Sequence, residues 1–372
     1  MNEALDERDA GTPEFLFVAN FSPWHGLDTL LNEIEKSSIN FKLHIVGTIL
    51  PDDASRIQNL KDKRLVVHGV LNSEQIRELS QRCWVGFSTF AHHRAGMTQS
   101  SALKVREYLI FGLPVYSDSP DVFPDSFPFY KVGKTDIHEI VKYAFFVRDF
   151  TKKSISNASK KYVDKVYLLT ALNTWISDDQ KKKNLNILHS AALLRPPSGI
   201  CNQMDWEQRA ADELALNWRV KMYCPQGALE KSRISHFDDA VSFNATISPV
   251  QKLNAWIKLR KNYHQWLLAQ QNDVDVFLLR YYVHDPYQWN FVRRCKKPVY
   301  FVHHTIEIPE LALPGGLSGF VRSKLEWLVG GATLKKSAGL IGVTQEIVNY
   351  QISRSGLPKE STCVYPNGIF IQ

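Results

Sequence analysis

The chain is poor in sulfur, with five cysteines and four methionines among 372 residues. No Cys-x-x-Cys pair or Cys/His ligand spacing occurs, and the cysteine count is odd. That argues against a disulfide framework and for reduced thiols in a cytosolic setting. Long apolar runs are also missing: none approaches the roughly 20 residues that cross a bilayer, and no secretory leader is recognised at the start. There is no internal repeat, and glycine (19) and proline (17) are at ordinary levels, which excludes long low-complexity disorder. A chain of this length is expected to build about two domains, each with its own core.

Acidic charge is scarce in one half only. Residues 1–180 carry 21 Lys and Arg against 23 Asp and Glu, whereas residues 181–372 carry 24 against 15. The whole formal excess of +7 therefore resides in the second half. A basic face attracts nucleic acid, anionic lipid and phosphorylated substrates alike, so its sign alone does not choose among them.

Both halves alternate short apolar runs with helix-period segments, the pattern of open parallel sheets. In the first half, strands are expected at Phe15–Val18, Leu43–Val46, Leu65–Val67, Trp84–Phe87 and Leu113–Tyr116. Helices are expected at Leu27–Ile34, Ser73–Cys83 (capped by Ser73) and Ser101–Phe111, with one long helix over Lys153–Ile176. The second half predicts strands at Leu185–His189, Val220–Cys224, Val274–Arg280, Val299–His303 and Gly339–Val343. Its helices fall at Met204–Asn217, Gln251–Ala269, Pro286–Arg294, Ser318–Lys335 and Gln345–Ser353. The charged stretch Ser177–Lys183 marks the boundary, giving domains 1–176 and 185–372 joined by a linker at 177–184.

Three segments carry a family resemblance. The run Gln99-Ser100-Ser101-Ala102-Leu103-Lys104-Val105-Arg106-Glu107 continues through Gly112-Leu113-Pro114. Near the start, a strand leads into Pro23-Trp24-His25-Gly26 and the helix from Leu27. Near the end stands Cys363-Val364-Tyr365-Pro366-Asn367-Gly368-Ile369. Together they resemble the retaining GT-B glycosyltransferases of family 4, of the bacterial polysaccharide and lipopolysaccharide type. The closing segment is similar to the one that ends those enzymes' first domain, and the opening segment to what normally follows it. The resemblance thus implies an α/β GT-B fold of two doubly wound, Rossmann-like domains facing a central cleft, in circularly permuted order. Donor binding falls to 1–176, acceptor binding to 185–372, and the ends Asn2 and Gln372 should lie near that cleft.

The resemblance implies a metal-independent transfer of a hexose from a UDP- or GDP-linked sugar, with retention, to a glycan or lipid-linked glycan. The nucleotide sugar is a co-substrate and no cofactor is expected. Glu107 would accept from both ribose hydroxyls, as a carboxylate can. The helix start at Ser101, Leu103 and Lys104 and the backbone of Gly96, Met97 and Thr98 would hold the diphosphate and sugar. Gln99 stands where the family has an acid, and Asn20 and His25 stand where it has an Arg and a Lys. His25 can donate to phosphate and does so better as a cation, with Arg94 or Lys104 supplying fixed charge. For Glu107 the alternative is a solvated helix carboxylate, and for His25 a turn histidine.

In the second half, Ser198 and Gly199 sit in a loop after the first strand, where Gly199 permits close approach and Ser198 can cap the next helix or touch the ligand. His303 and His304 end a strand where open α/β sheets bind ligands. Alternation turns only one of them to the site, and His304 is favoured. Arg280 is a companion for phosphate or acceptor. The catalytic set is thus His304, His303, Gln99 and Glu107. Asp273-Val274-Asp275 opens a strand, the wrong edge for a metal, and His92-His93 reads as a loop feature. Partners are a nucleotide sugar, the acceptor and, as one of two readings, the inner membrane face, reached through Leu253, Trp256, Ile257 and Leu267 on one side of a Lys-bearing helix; the other reading, stronger for that helix alone, buries this side against the sheet as in an ordinary α/β helix, and nucleic acid is not expected. The other readings are a sugar-nucleotide-binding protein without turnover and a GT-B-type epimerase.

Overall fold

The computed structural model describes residue 8 and residues 11–242, 248–312 and 315–371. The residues up to Val163 form one compact unit and Asp164–Ile371 the other.

In the first unit the strands are β1 (Glu14–Val18), β2 (Lys42–Val46), β3 (Leu65–Gly69), β4 (Val85–Phe87), β5 (Val115–Ser117) and β6 (Tyr130–Val132). Helices α1 (Leu27–Lys36), α2 (Pro51–Leu60), α3 (Ser73–Arg82), α4 (Leu103–Ile110), α5 (Ile137–Arg148) and α6 (Lys152–Val163) connect or follow them. Every pair is parallel, in the order β3-β2-β1-β4-β5-β6. Parallel strands are covered on both faces, which is why Phe15, Leu16 and Phe17 of β1 are all buried. The chain winds outward from β1 in both directions, so the crevice beyond the ends of β1 and β4 is the topological switch point where such sheets bind ligands.

The second unit repeats the plan. It holds α7 (Lys165–Asp179), β7 (Ile187–Ala192), α8 (Ser198–Glu213), β8 (Trp218–Gln226), β9 (Ser235–Ser242) and α9 (Pro249–Gln270). Then come β10 (Val276–Arg280), α10 (Pro286–Arg294), β11 (Val299–His303), α11 (Glu307–Ala312) and α12 (Gly316–Leu325). A π-helical turn, Glu326–Gly330, leads to α13 (Gly331–Leu334), β12 (Gly339–Gly342), α14 (Gln345–Ser355) and β13 (Thr362–Val364). The parallel order is β13-β12-β11-β10-β7-β8-β9, with its switch point between β7 and β10. Both units are therefore doubly wound and Rossmann-like.

Several expectations are corrected. The division falls at Val163 and Asp164, not at 177–184, because Asp164 breaks the expected long helix by capping α7: its carboxylate accepts from the Val166 N–H at 3.0 Å. Apolar Leu169, Leu172 and Ile176 of α7 are buried in the second unit's core, so the helix belongs there. The cap of α3 is Asn72, one residue earlier than Ser73, in a reciprocal box with Gln75. The expected helix over Ser318–Lys335 is interrupted by the π turn. Ends Asn2 and Gln372 lie outside the described residues.

Candidate functional site

At the first unit's switch point, α4 starts without a side-chain cap: Ala102 precedes it in extended conformation and cannot accept from its free N–H groups. Two side chains on its first turns are unpartnered. The Glu107 carboxyl makes no hydrogen bond or ion pair among the described residues, and burial raises its pKa. Lys104 is half-buried as a residue, but its Nζ is cut off from solvent without an acceptor, 5.0 Å over the Phe17 ring. Burial pushes its pKa down to about 7. Although three residues apart on one helix, a spacing that favours pairing, these opposite charges do not pair.

The helix that carries them is firmly held. Arg106, on the buried side, donates from both terminal nitrogens to Asp121 at 2.6 Å each, with both side chains fully buried. Tyr108 accepts the Val18 N–H at 2.9 Å, and its ring occupies the space where a side chain on Gly86 would stand. α4 is thereby tied to β4, β1 and the loop after β5.

The opening loop departs from its expected chemistry. Gly26 is left-handed (φ 70°), and a Cβ there would strike the Phe90 backbone, so only glycine fits. His25 accepts the Ser22 N–H on Nδ1 at 3.0 Å, which puts its proton on Nε2. Burial first, then the charge of Lys104, push its pKa down to about 3, which favours the neutral ring, able to donate from Nε2, over the cation that would grip a phosphate better. Arg94 is committed to Asp28 by a two-point ion pair at 2.8 and 3.0 Å, and Lys104 at about 7 is not a fixed charge. Gln99 turns its amide to the Asp121 carbonyl at 3.2 Å. Asn20 is exposed, as are Gly96 and Thr98, while Met97, Ser101 and Leu103 are partly buried.

In the second unit, His303 is locked inside. Its Nδ1 meets Glu307 at 2.5 Å, its ring stacks on Tyr281 at 4.4 Å, and Gln351 approaches at 3.0 Å. Glu307 in turn meets Arg354, which pairs with Glu326, and Glu326 also accepts from the Tyr281 hydroxyl and the His284 N–H. His304 is half-buried and makes no hydrogen bond among the described residues. Burial first, then Arg280 and the nearby His189, His303 and Lys165, hold its pKa well below the usual histidine value. Arg280 ends β10; its carbonyl accepts from Gln288 Nε2 at 3.1 Å, its guanidinium makes no hydrogen bond or ion pair among the described residues, and burial lowers its pKa. Ser198 begins α8 but caps nothing, since Pro197 holds the cap position; Gly199 is in the helix's first turn.

Sequence reasoning missed His189. It meets Glu207 at 2.5 Å, and Glu207 also accepts from Trp218 at 2.9 Å and Tyr365 at 3.0 Å. The His189–Glu207 spacing across a strand and a helix gives no local signal. Asp275 is used structurally, accepting the Asn186 N–H at 3.0 Å and pairing with Lys182 at 2.7 Å. Among the described residues no three His, Cys, Asp or Glu side chains gather where they could hold a metal ion, and no helix is long and apolar enough to cross a membrane.

No family model and no curated protein matches the chain. Among solved structures it is similar to the lipopolysaccharide outer core galactosyltransferase WaaB in its apo form, at 12% identity over 47% of this chain and 52% of that one, TM-score 0.37. The chain thus spans about half the length of that enzyme. It is also similar to GanP, a glucose-galactose binding protein from Geobacillus stearothermophilus, at 10% identity over 95% of each chain, TM-score 0.26. A third likeness is to the MnaA–UDP co-structure from S. aureus, at 10% identity over 96% of this chain and 93% of that one, TM-score 0.21. At these values the likenesses carry no argument, and the fold stands on strand order.

Proposed function

We propose that the chain is a glycosyltransferase of the GT-B type, moving a hexose from a UDP- or GDP-sugar to a glycan or lipid-linked glycan with retention. The observation that carries this reading is the start of α4. An uncapped helix N-terminus, an unpartnered carboxylate and an unpartnered buried amine stand together beyond the end of β4. Vicinal ribose hydroxyls satisfy Glu107, and a diphosphate satisfies Lys104 and the free N–H groups. On this reading the first unit binds the donor and the second the acceptor, in permuted order. The leaving diphosphate, stabilised at the helix start, takes the acceptor proton in a front-side displacement. Calorimetric titration with UDP- and GDP-sugars tests it: binding that Glu107→Ala weakens supports the reading, and absence of binding to the folded parent removes it.

The reading without turnover has its own support. With His25 neutral, Arg94 held by Asp28 and Gln99 bringing no charge, the phosphate grip is weaker than the family pattern implies. Release of UDP or GDP from a bound donor, followed over time, separates transferase from binder.

A peripheral position at the inner membrane face is part of the proposal. Leu317, Phe320, Val321, Leu325, Trp327 and Leu328 are all exposed, from 44% to 80%. Lys324 and Arg322 stand among them, and the one acid of that stretch, Glu326, is buried and paired. This face replaces the one expected on α9, where Leu253 and Ile257 are exposed but Leu267 is in the core. Sedimentation with anionic and neutral liposomes decides it, binding to anionic vesicles that fades with salt being the expected outcome.

A further inference from the structure

The second unit holds a cavity of about 240 Å³ beyond the carboxyl ends of β7, β8 and β9, roofed by α9. Its walls are mostly apolar, with Leu193, Leu194, Pro225, Trp256 and Leu259 among them. Three cations also line it: Arg195, Lys252 and Arg260. An apolar wall alone would suit any oily group. The cations make it specific.

Arg260 is the decisive one. Its side chain is only 3% exposed, stacked on Tyr282, yet its Nε and Nη1 find no hydrogen-bond acceptor. A guanidinium withdrawn from water without acceptors is costly unless something supplies them. Its one carboxylate partner among the described residues, Asp285, lies 3.5 Å from Nε through Oδ2, while Oδ1 is taken up in capping α10 by accepting from the Tyr287 and Gln288 N–H groups. Arg280 is close enough for Arg260 to disfavour its charge, while Tyr282 and Glu310 favour it. α9 itself carries no acidic residue: Lys252, Lys258, Arg260 and Lys261 are its only charged groups. Among the described residues that line the cavity there are three cations and no acid, which matches a doubly charged phosphate monoester better than a carboxylate.

The size of the cavity sets the rest of the ligand. A dry cavity of about 150 Å³ holds a benzene ring, so this one takes on the order of eight to ten carbon atoms. We propose that this cavity binds the phosphate-bearing end of a lipid phosphate, with the first carbons of its chain against Trp256 and Leu259 and the phosphate on Arg260, Lys252 and Arg195. Resting on the transferase reading, this makes the acceptor's phosphate-proximal segment the part that the second unit recognises.

The experiment titrates the full chain by calorimetry with geranyl phosphate, and in parallel with geraniol and with inorganic phosphate. The lipid phosphate is expected to bind at least about tenfold more tightly than either half, since both the apolar and the charge-assisted contacts are needed. Arg260→Gln is expected to weaken it about tenfold or more. Lys252→Glu, on an exposed side chain whose replacement leaves the fold intact, is expected to weaken it about fivefold and to flatten the loss with salt, since one phosphate contact is gone and salt screens the new repulsion. Geranyl phosphate bound no better than geraniol overturns the proposal, as does unchanged binding in Lys252→Glu or no binding at all. UDP and GDP titrations on the same samples keep the two readings apart. Nucleotide binding without lipid phosphate binding sinks the cavity assignment alone, and lipid phosphate binding without nucleotide binding sinks only the transferase reading.

Discussion

The two units share one winding order but treat the polar groups at their strand ends in opposite ways. In the first, Glu107 and Lys104 stand unpaired on a helix that Arg106, Tyr108 and Asp121 hold rigidly. In the second, His303, Glu307, Gln351, Arg354, Glu326 and Tyr281 form one continuous network, and what is left over is the His304 ring and the guanidiniums of Arg280 and Arg260. The first unit therefore offers one site with both signs of charge, suited to a ligand with hydroxyls and phosphates. The second offers a positive site beside an apolar wall. Same scaffold, different complement: what a doubly wound sheet binds is set by which groups its neighbours leave unsatisfied.

The largest test removes a saturated pair from each unit. Arg106→Ala leaves Asp121 buried and uncompensated, and Glu326→Ala leaves the buried Arg354 with Glu307, at 3.4 Å, as its one carboxylate partner among the described residues and strips the Tyr281 hydroxyl and the His284 N–H of their acceptor; each is expected to cost about 3–5 kcal/mol of stability, read by urea denaturation. A loss near zero for either would mean that unit does not depend on its network. Next, Glu107→Ala is expected to cost about 1.5–3 kcal/mol of nucleotide binding, by calorimetry, with the ligand-free melting temperature unchanged or raised. A lowered melting temperature would show that Glu107 is a structural partner and the comparison is misdrawn.

A subtler effect comes from Lys104. Folding depresses its pKa from 10.5 to about 7, so between those values the unfolded chain holds the extra proton. Its contribution to stability therefore grows as pH rises from about 7 toward 10.5. Lys104→Met is expected to flatten that rise in melting temperature. A bound diphosphate favours the charged amine, so affinity should fall as pH climbs above about 7 in the parent and not in the variant. The smallest expected effect is Ser198→Ala, which removes no cap and should shift stability by less than about 0.5 kcal/mol.

The central strands and most helices were legible because each is a run of apolar residues with ordinary punctuation. The missed elements lack that signal. β9, Ser235–Ser242, is an edge strand containing Asp238 and Asp239; β6 and β13 are three residues long. Asp164 split a helix whose apolar period ran through it, since capping depends on a turn of backbone that the pattern does not encode. Glu107 was found from its motif, and its lack of a partner is a fact of packing. The neutrality of His25 arises from burial and from Lys104, which is 79 residues away in sequence, and the Arg260 cavity depends on contacts among β7, β8 and α9. Spacing within one segment reports neither.

The hydroxyl of Tyr108 on the Val18 N–H has a mechanical meaning. A strand's last donor usually points to another strand; here it points to a helix, through an aromatic ring trapped where Gly86 lacks a side chain. The ring acts as a strut. A push on α4 along its axis is delivered to the end of β1, and from there to the Asn20–Gly26 loop, which the Phe90 N–H also grips through the His25 carbonyl at 2.9 Å. Helix and loop are geared together, so a ligand held by one inherits the stiffness of the other. Trimming the strut's tip, as Tyr108→Phe does, would leave two parts that move at their own pace.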